Sequence, residues 1–225
     1  MEIYATKGAE YLLVIGYLLL LILFTWLART SAPRRALAAA PARALGLGGW
    51  FAVPEDLHFH RGHTWARDEG GGVLRVGIDD FAAKLLGRAE ALRLPASGSR
   101  LEQGDAGWRM DVDGRGLELL SPVGGEVLEV NEEAVRAPER VSDDPYGDGW
   151  LLKVRSSRPA AALKNLLPGR LARAWTDQAA ARLNTLMGGE LGVVLQDGGV
   201  PVPGFARHLA GERWHEMAAE LLLTA

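Results

Sequence analysis

The Asp113-Gly114 pair constrains the fold of this chain more than any other feature. On its N-terminal side Trp108, Met110 and Val112 alternate with Arg109 and Asp111, and beyond it Leu117 and Leu119 flank Glu118. That period of two is the signature of strands with one buried face. Asp-Gly is a preferred pair for a two-residue type I′ turn, in which both central residues take positive φ. A β-hairpin over Trp108–Leu120 is therefore predicted. Similar patterns place strands at Thr64–Ala66 and Val73–Ile78 around the Gly70-Gly71-Gly72 turn, and at Ala91–Leu94, Glu126–Val130 and Trp150–Val154. Helical spacing marks Asp79–Leu86, with Asp79 as N-cap and Phe81, Leu85 and Leu86 on one face. It also marks a short helix or turn over Glu132–Glu139, and the segments Pro159–Leu167 and Leu171–Leu186.

Particular motifs sharpen this outline. HTWAR at His63–Arg67, VGIDDFA at Val76–Ala82, LRLP at Leu92–Pro95 and the run Ser121–Val154, with its Ser-Pro start and Asp-Asp-Pro loop, occur in one order and spacing. Together they resemble the H-protein of the glycine cleavage system, from about Trp50 to about Leu186. The resemblance implies a mainly β, α+β fold: a lipoyl-domain-like barrel-sandwich hybrid with flanking helices. It also implies a lipoylated lysine at a hairpin tip seven residues before the Ser-Pro pair. Counting back from Ser121 places that position at Gly114, within the Asp113 turn. The chain has four lysines, Lys7, Lys84, Lys153 and Lys164, none between Asp105 and Ser121. Arg115 offers a permanently charged guanidinium and cannot replace a lysine amine.

Ahead of this region, Tyr11–Ala28 is a run of 18 uncharged residues rich in leucine. As a helix it would rise about 27 Å, close to the roughly 30 Å of a bilayer core. It reads as a single transmembrane anchor, with Leu18 and Leu21 in its apolar body and Tyr11 and Trp26 near its ends. Arg29, Arg34, Arg35 and Arg43 follow it. By the positive-inside rule they put the N-terminus outside and the remainder in the cytoplasm, at the inner membrane. The expected organisation is an anchor at 1–29, an Ala/Arg/Pro-rich tether at 30–49, the H-protein-like domain at 50–186 and an extension at 187–225. The extension is read as a hairpin followed by a helix from about Pro203 to Leu223. Phe205, Leu209, Trp214, Met217 and Leu221 are too many apolar groups for a solvated tail. They either pack back on the domain or contact a partner.

Catalytic chemistry finds little support. The net charge of −3 argues against a dedicated nucleic-acid binder, and the absence of cysteine removes thiolate ligands and thiol nucleophiles. His58, His60 and His63 are weak metal candidates, with no carboxylate or thiolate completing a set. The acidic pairs Asp79-Asp80, Glu132-Glu133 and Asp143-Asp144 suit caps and turns. No catalytic residue, cofactor or small-molecule substrate is expected.

The missing tip lysine, the apolar N-terminal run and the apolar tail together suggest a non-catalytic, non-lipoylated, membrane-anchored accessory subunit. Its expected partners are the bilayer and other subunits of a membrane complex, such as a respiratory or electron-transfer assembly. Two alternatives stand beside it: a lipoyl carrier of glycine cleavage or a related lipoate-dependent pathway, and a membrane-tethered adaptor that binds lipoate-dependent enzymes.

Overall fold

The computed structural model describes residues 15–20, 49–186 and 203–224. The chain divides into two compact units, Met1–Ala44 and Leu45–Ala225. In the first, residues 15–20 are helical with exposed side chains. The second holds the β structure and everything that follows.

Its strands are β1 (His58–His60), β2 (Thr64–Gly70), β3 (Val73–Ile78), β4 (Ala91–Arg93), β5 (Arg100–Leu101), β6 (Ala106–Val112), β7 (Arg115–Leu120), β8 (Gly125–Val130), β9 (Leu152–Arg155) and β10 (Leu167–Pro168). They form a seven-stranded sheet in the order β10-β1-β2-β3-β9-β8-β5 and a three-stranded sheet in the order β4-β6-β7. All the paired strands are antiparallel. Among the described residues the α-helices of this unit are α1 (Asp80–Leu86), α2 (Glu132–Arg136), α3 (Glu139–Asp143), α4 (Pro159–Lys164), α5 (Gly169–Leu186), α6 (Phe205–Ala210) and α7 (Trp214–Leu221). Antiparallel sheets with flanking helices match the expected fold class in its β part.

Local chemistry explains the well-defined elements. Asp79 starts α1 as expected: its Oδ1 accepts from the amide of Ala82 at 2.8 Å, satisfying a donor the helix itself cannot pair. Asn131 caps α2 by accepting from the amides of Glu133 and Ala134. The short helix or turn expected over Glu132–Glu139 forms as α2, which ends at Arg136, and a second helix, α3, begins at Glu139 and continues past the expected range. Pro138 stands at the N-cap of the second, where its missing N–H costs no helical hydrogen bond. The expected Pro159–Leu167 helix stops at Lys164, and Leu167 instead pairs with Phe59 across the sheet edge.

One large core joins the inward faces of β3, β6, β7 and β9 to Phe81, Leu85 and Leu86 of α1. A smaller cluster of Val53, Leu57, Phe59, Trp65 and Ala172 lies beside it. The C-terminal segment belongs to the large core. Phe205, Trp214, Leu221 and Leu222 are buried, and Met217 packs half-buried against them. Of the five tail residues named as partner contacts, Phe205, Trp214 and Leu221 are thus covered by their own chain, while the side chain of Leu209 lies outside the described residues. Backbone bonding ties the segment down where Gly204 N donates to Lys84 O at 2.8 Å. The single helix expected from Pro203 to Leu223 is interrupted, because Gly211 ends α6 at φ 51°, outside helical space. The hairpin expected before it, around Leu191–Val202, lies outside the described residues.

The expected transmembrane helix needs correction as part of the fold class. Among the described residues no helix is long and apolar enough to cross a membrane. Tyr11, Leu21 and Trp26 lie outside the described residues, and Leu18 is exposed within the short helical stretch 15–20.

Candidate functional site

The hairpin of β6 and β7 projects its turn from the three-stranded sheet. Val112 pairs with Arg115, leaving Asp113 and Gly114 as the two turn residues, at φ 52° and 70°. This is the conformation expected from the sequence. The tip is exposed, and a β-carbon at Gly114 would meet nothing within 4 Å. Glu90 braces it from the preceding segment: Gly114 N donates to its Oε2 at 3.1 Å.

Below the tip, the outer face of the sheet carries a charged cluster. Arg109 Nε and Arg93 Nε donate to the two oxygens of Asp111 at 2.9 and 3.0 Å. Those hydrogen bonds, Arg109's first, hold the Asp111 carboxyl below the usual carboxylate range. The Arg109 guanidinium also occupies the space that a β-carbon at Gly116 would fill. On the C-terminal side of the hairpin, His215 Nε2 lies 3.1 Å from Gly116 O, and Glu212 lies 3.9 Å from Arg115. The extension therefore touches the hairpin as well as the core.

None of the lysines among the described residues belongs to the hairpin. Lys84 donates to Asp80 Oδ2 and Trp50 O, both at 2.8 Å. Lys153 binds Glu129 and lies over the Trp150 ring. Lys164, at the end of α4, is exposed.

The three histidines do not converge. His58 and His60 share one face of β1, whose central residue Phe59 points into the core. His60 Nδ1 accepts from Gly62 N at 3.0 Å. Burial lowers the His60 pKa, and the nearby Arg61 and His63 lower it further. His63 has φ 59° and is buried, with Nδ1 at 2.8 Å from Asp79 Oδ2. Its ring stacks on Phe81 at 4.1 Å and meets Trp175 at 4.4 Å. Among the described residues no group of three His, Cys, Asp or Glu side chains could hold a metal ion.

Of the acidic pairs, Asp79 caps α1 and Asp80 Oδ2 accepts from Ala52 N and Lys84. Tyr146 joins this corner by donating to Ala52 O at 2.6 Å and accepting from Asp80 N at 3.0 Å. Burial pushes its phenol pKa up, and the neighbouring Asp79 charge adds to the rise. Sequence reasoning missed Glu90, Tyr146 and the Arg93-Asp111-Arg109 cluster. Alternation puts Arg109 and Asp111 on one strand face, but nothing local brings Arg93 or Glu90 to them.

The family profile for glycine cleavage H-protein matches residues 57–178. The chain belongs to this family. A glycine cleavage system H protein of Laribacter hongkongensis is 42% identical over 108 residues, covering 48% of this chain and 85% of the relative. One from Idiomarina loihiensis is 36% identical over 126 residues, covering 56% and 97%. Among solved structures, a glycine cleavage system H protein from Mycobacterium marinum is similar at 29% identity. It covers 56% of this chain and 99% of that one, with a TM-score of 0.50.

These relatives overturn the reading of the chain as a non-lipoylated, membrane-anchored accessory subunit in a respiratory or other membrane complex. With it go the expected membrane-complex partners and the inner-membrane location. The proteins that share this domain are named as glycine cleavage H proteins. That reading also drew on the apolar tail, whose buried groups are covered by the chain's own core.

Proposed function

We propose that this chain serves a lipoate-dependent pathway of the glycine-cleavage type as a carrier-fold protein, with no catalytic activity of its own. Its working unit is residues 50–186 together with the extension 187–225. The observation that carries this reading is the family match over 57–178, which contains the whole projecting hairpin. The lipoyl carrier role follows from the family; the tip of this chain departs from it. Amide formation with lipoate requires a primary amine, and Gly114 has none. A carried lipoyl group therefore needs another lysine, and Lys164 is the exposed one among the described residues.

A second reading rests on the Asp113-Gly114 tip itself. Here the chain keeps the family's hairpin face and recognises lipoate-dependent enzymes that bring their own lipoyl group. One experiment separates the two. The protein is co-expressed with a lipoate ligase, its intact mass is measured, and its binding to the glycine cleavage enzymes is assayed. A lipoyl adduct, mapped to its lysine, supports the carrier. Binding without an adduct supports the second reading. Neither adduct nor binding would sink both.

A further inference from the structure

His63 is buried, yet one edge of its ring opens on a cavity of about 200 Å³ between α5 and the C-terminal segment. Nδ1 lies 2.8 Å from Asp79 Oδ2, and Phe81 and Trp175 flank the ring at 4.1 and 4.4 Å. Asp79 accepts from Ala82 N through its other oxygen, and an ionised carboxylate has only acceptors to offer, so the hydrogen of the His63 contact sits on Nδ1. In the neutral imidazole Nε2 is then a lone-pair acceptor. It has no hydrogen-bond partner among the described residues and is not one of their sealed side-chain atoms, so it faces the cavity.

The rest of the wall sets what can meet that acceptor. Trp175, Ala179, Leu221 and Leu223 supply apolar surface. Arg182 and Glu220 are bonded to each other at 2.6 Å, so their charges offset. The charge of Arg61, exposed at the rim, is balanced by the Asp79 carboxylate behind His63. No excess charge is left to repay the desolvation of an ion. A neutral occupant is favoured, with a hydrogen to give and an apolar body. At roughly 30 Å³ of liquid volume per water, the space equals about seven waters, which limits the occupant to a small molecule.

We propose that this cavity binds a small neutral alcohol. Its O–H donates to His63 Nε2, and its short alkyl chain lies along Trp175, Ala179 and Leu221. A hydroxyl supplies the one donor that Nε2 lacks without bringing a charge, and the indole suits an alkyl chain. Ala179, Leu221 and Leu223 lie beyond the family match of 57–178, so much of the apolar wall is this chain's own addition. The site is independent of the hairpin tip and of any group carried there.

The test uses full-length protein and 1-pentanol at about pH 8, where an ordinary imidazole is neutral. Binding is followed by titration calorimetry and by the ¹⁵N shift of His63 Nε2. Butyl methyl ether, an isomer of pentanol without a donor, tests the hydrogen bond, and pentanoate and pentylamine test the charge. Saturable pentanol binding is expected, with a moving Nε2 resonance and at least tenfold weaker binding of all three controls. Ala179→Leu, on the half-buried wall of α5, should fill the space and weaken pentanol at least tenfold with the circular dichroism spectrum unchanged. Arg61→Gln should leave pentanol affinity as it is. The proposal is overturned by absence of saturable binding, by an unmoved Nε2 resonance, by less than tenfold preference over any control, by binding that Ala179→Leu does not weaken, or by binding that Arg61→Gln abolishes.

Discussion

Trp65 faces Gly77 across the β2–β3 pairing, and its indole lies where a β-carbon at 77 would stand, with ring atoms 2.8 to 2.9 Å from that point. The ring is fully buried, and its Nε1 donates to Ile78 O at 2.8 Å and Pro145 O at 3.1 Å. Two hydrogen bonds and close packing leave the indole little freedom to yield. Gly77→Ala should therefore destabilise the domain by about 1–3 kcal/mol, the usual cost of overpacking, as read from the urea midpoint. An unchanged midpoint would mean that the sheet accommodates the methyl.

At the hairpin tip the expected effect is smaller and purely conformational. Gly114 has φ 70° and open space around it, so Gly114→Ala meets backbone strain without a steric clash. A loss of about 1 kcal/mol is expected. Asp113→Gly relieves the non-glycine residue at φ 52°; its effect should be smaller than that of Gly114→Ala, because Asp tolerates this region and glycine adds entropy to the unfolded chain. Thermal melts of the two variants should rank in that order.

These elements also show what was legible in the sequence. The β6–β7 hairpin was readable because a period of two met a turn pair with a known backbone requirement. The start of α1 was readable because Asp79 stands where a cap must stand. Strands β1, β5 and β10 were missed; runs of two or three residues carry little period of their own, and of the strands this short only β4 was found. The pairing of Leu167 with Phe59 depends on a long-range meeting that neither segment announces. The tail residues Phe205, Trp214 and Leu221 declared that they would be buried, but apolar character does not name the surface that covers them. His63 could be seen as a family motif residue, whereas its clamp between Phe81 and Trp175 and its bond to Asp79 exist only in three dimensions. Function was misread when the missing lysine and the apolar ends were given more weight than the persistence of the whole family domain.

His60 should make stability depend on pH. Its pKa in the folded protein lies below the ordinary 6.5, chiefly through burial and then through Arg61 and His63. Between that lowered value and 6.5 the unfolded chain binds more protons than the folded one, so unfolding gains as pH falls. Stability fully present above about pH 6.5 is expected to decline as pH drops toward and through the lowered value. His60→Asn retains an acceptor for Gly62 N and removes the titration, so its slope in this window should be shallower. Identical slopes for the two proteins in chemical denaturation would assign the pH dependence to other groups.

The C-terminal extension should stabilise the domain through its own packing. Trp214 is 3% exposed, and Phe205, Leu221 and Leu222 are buried with it in the same core as α1 and the hairpin strands. Burying such a side chain fully contributes about 1.5–3 kcal/mol, and truncating a buried aromatic leaves a cavity as well. Trp214→Ala should thus cost about 3–5 kcal/mol. Ending the chain after Leu186 should lower Tm further, because it uncovers Gly62 beside Leu222 O and frees Gly116 O from His215. Hydrogen exchange gives the location: amides of α1 and of β7 should lose protection first in the shortened chain, ahead of β3 and β9. If the shortened chain melts at the temperature of the full one, with α1 and β7 still protected, the extension adds nothing to the fold.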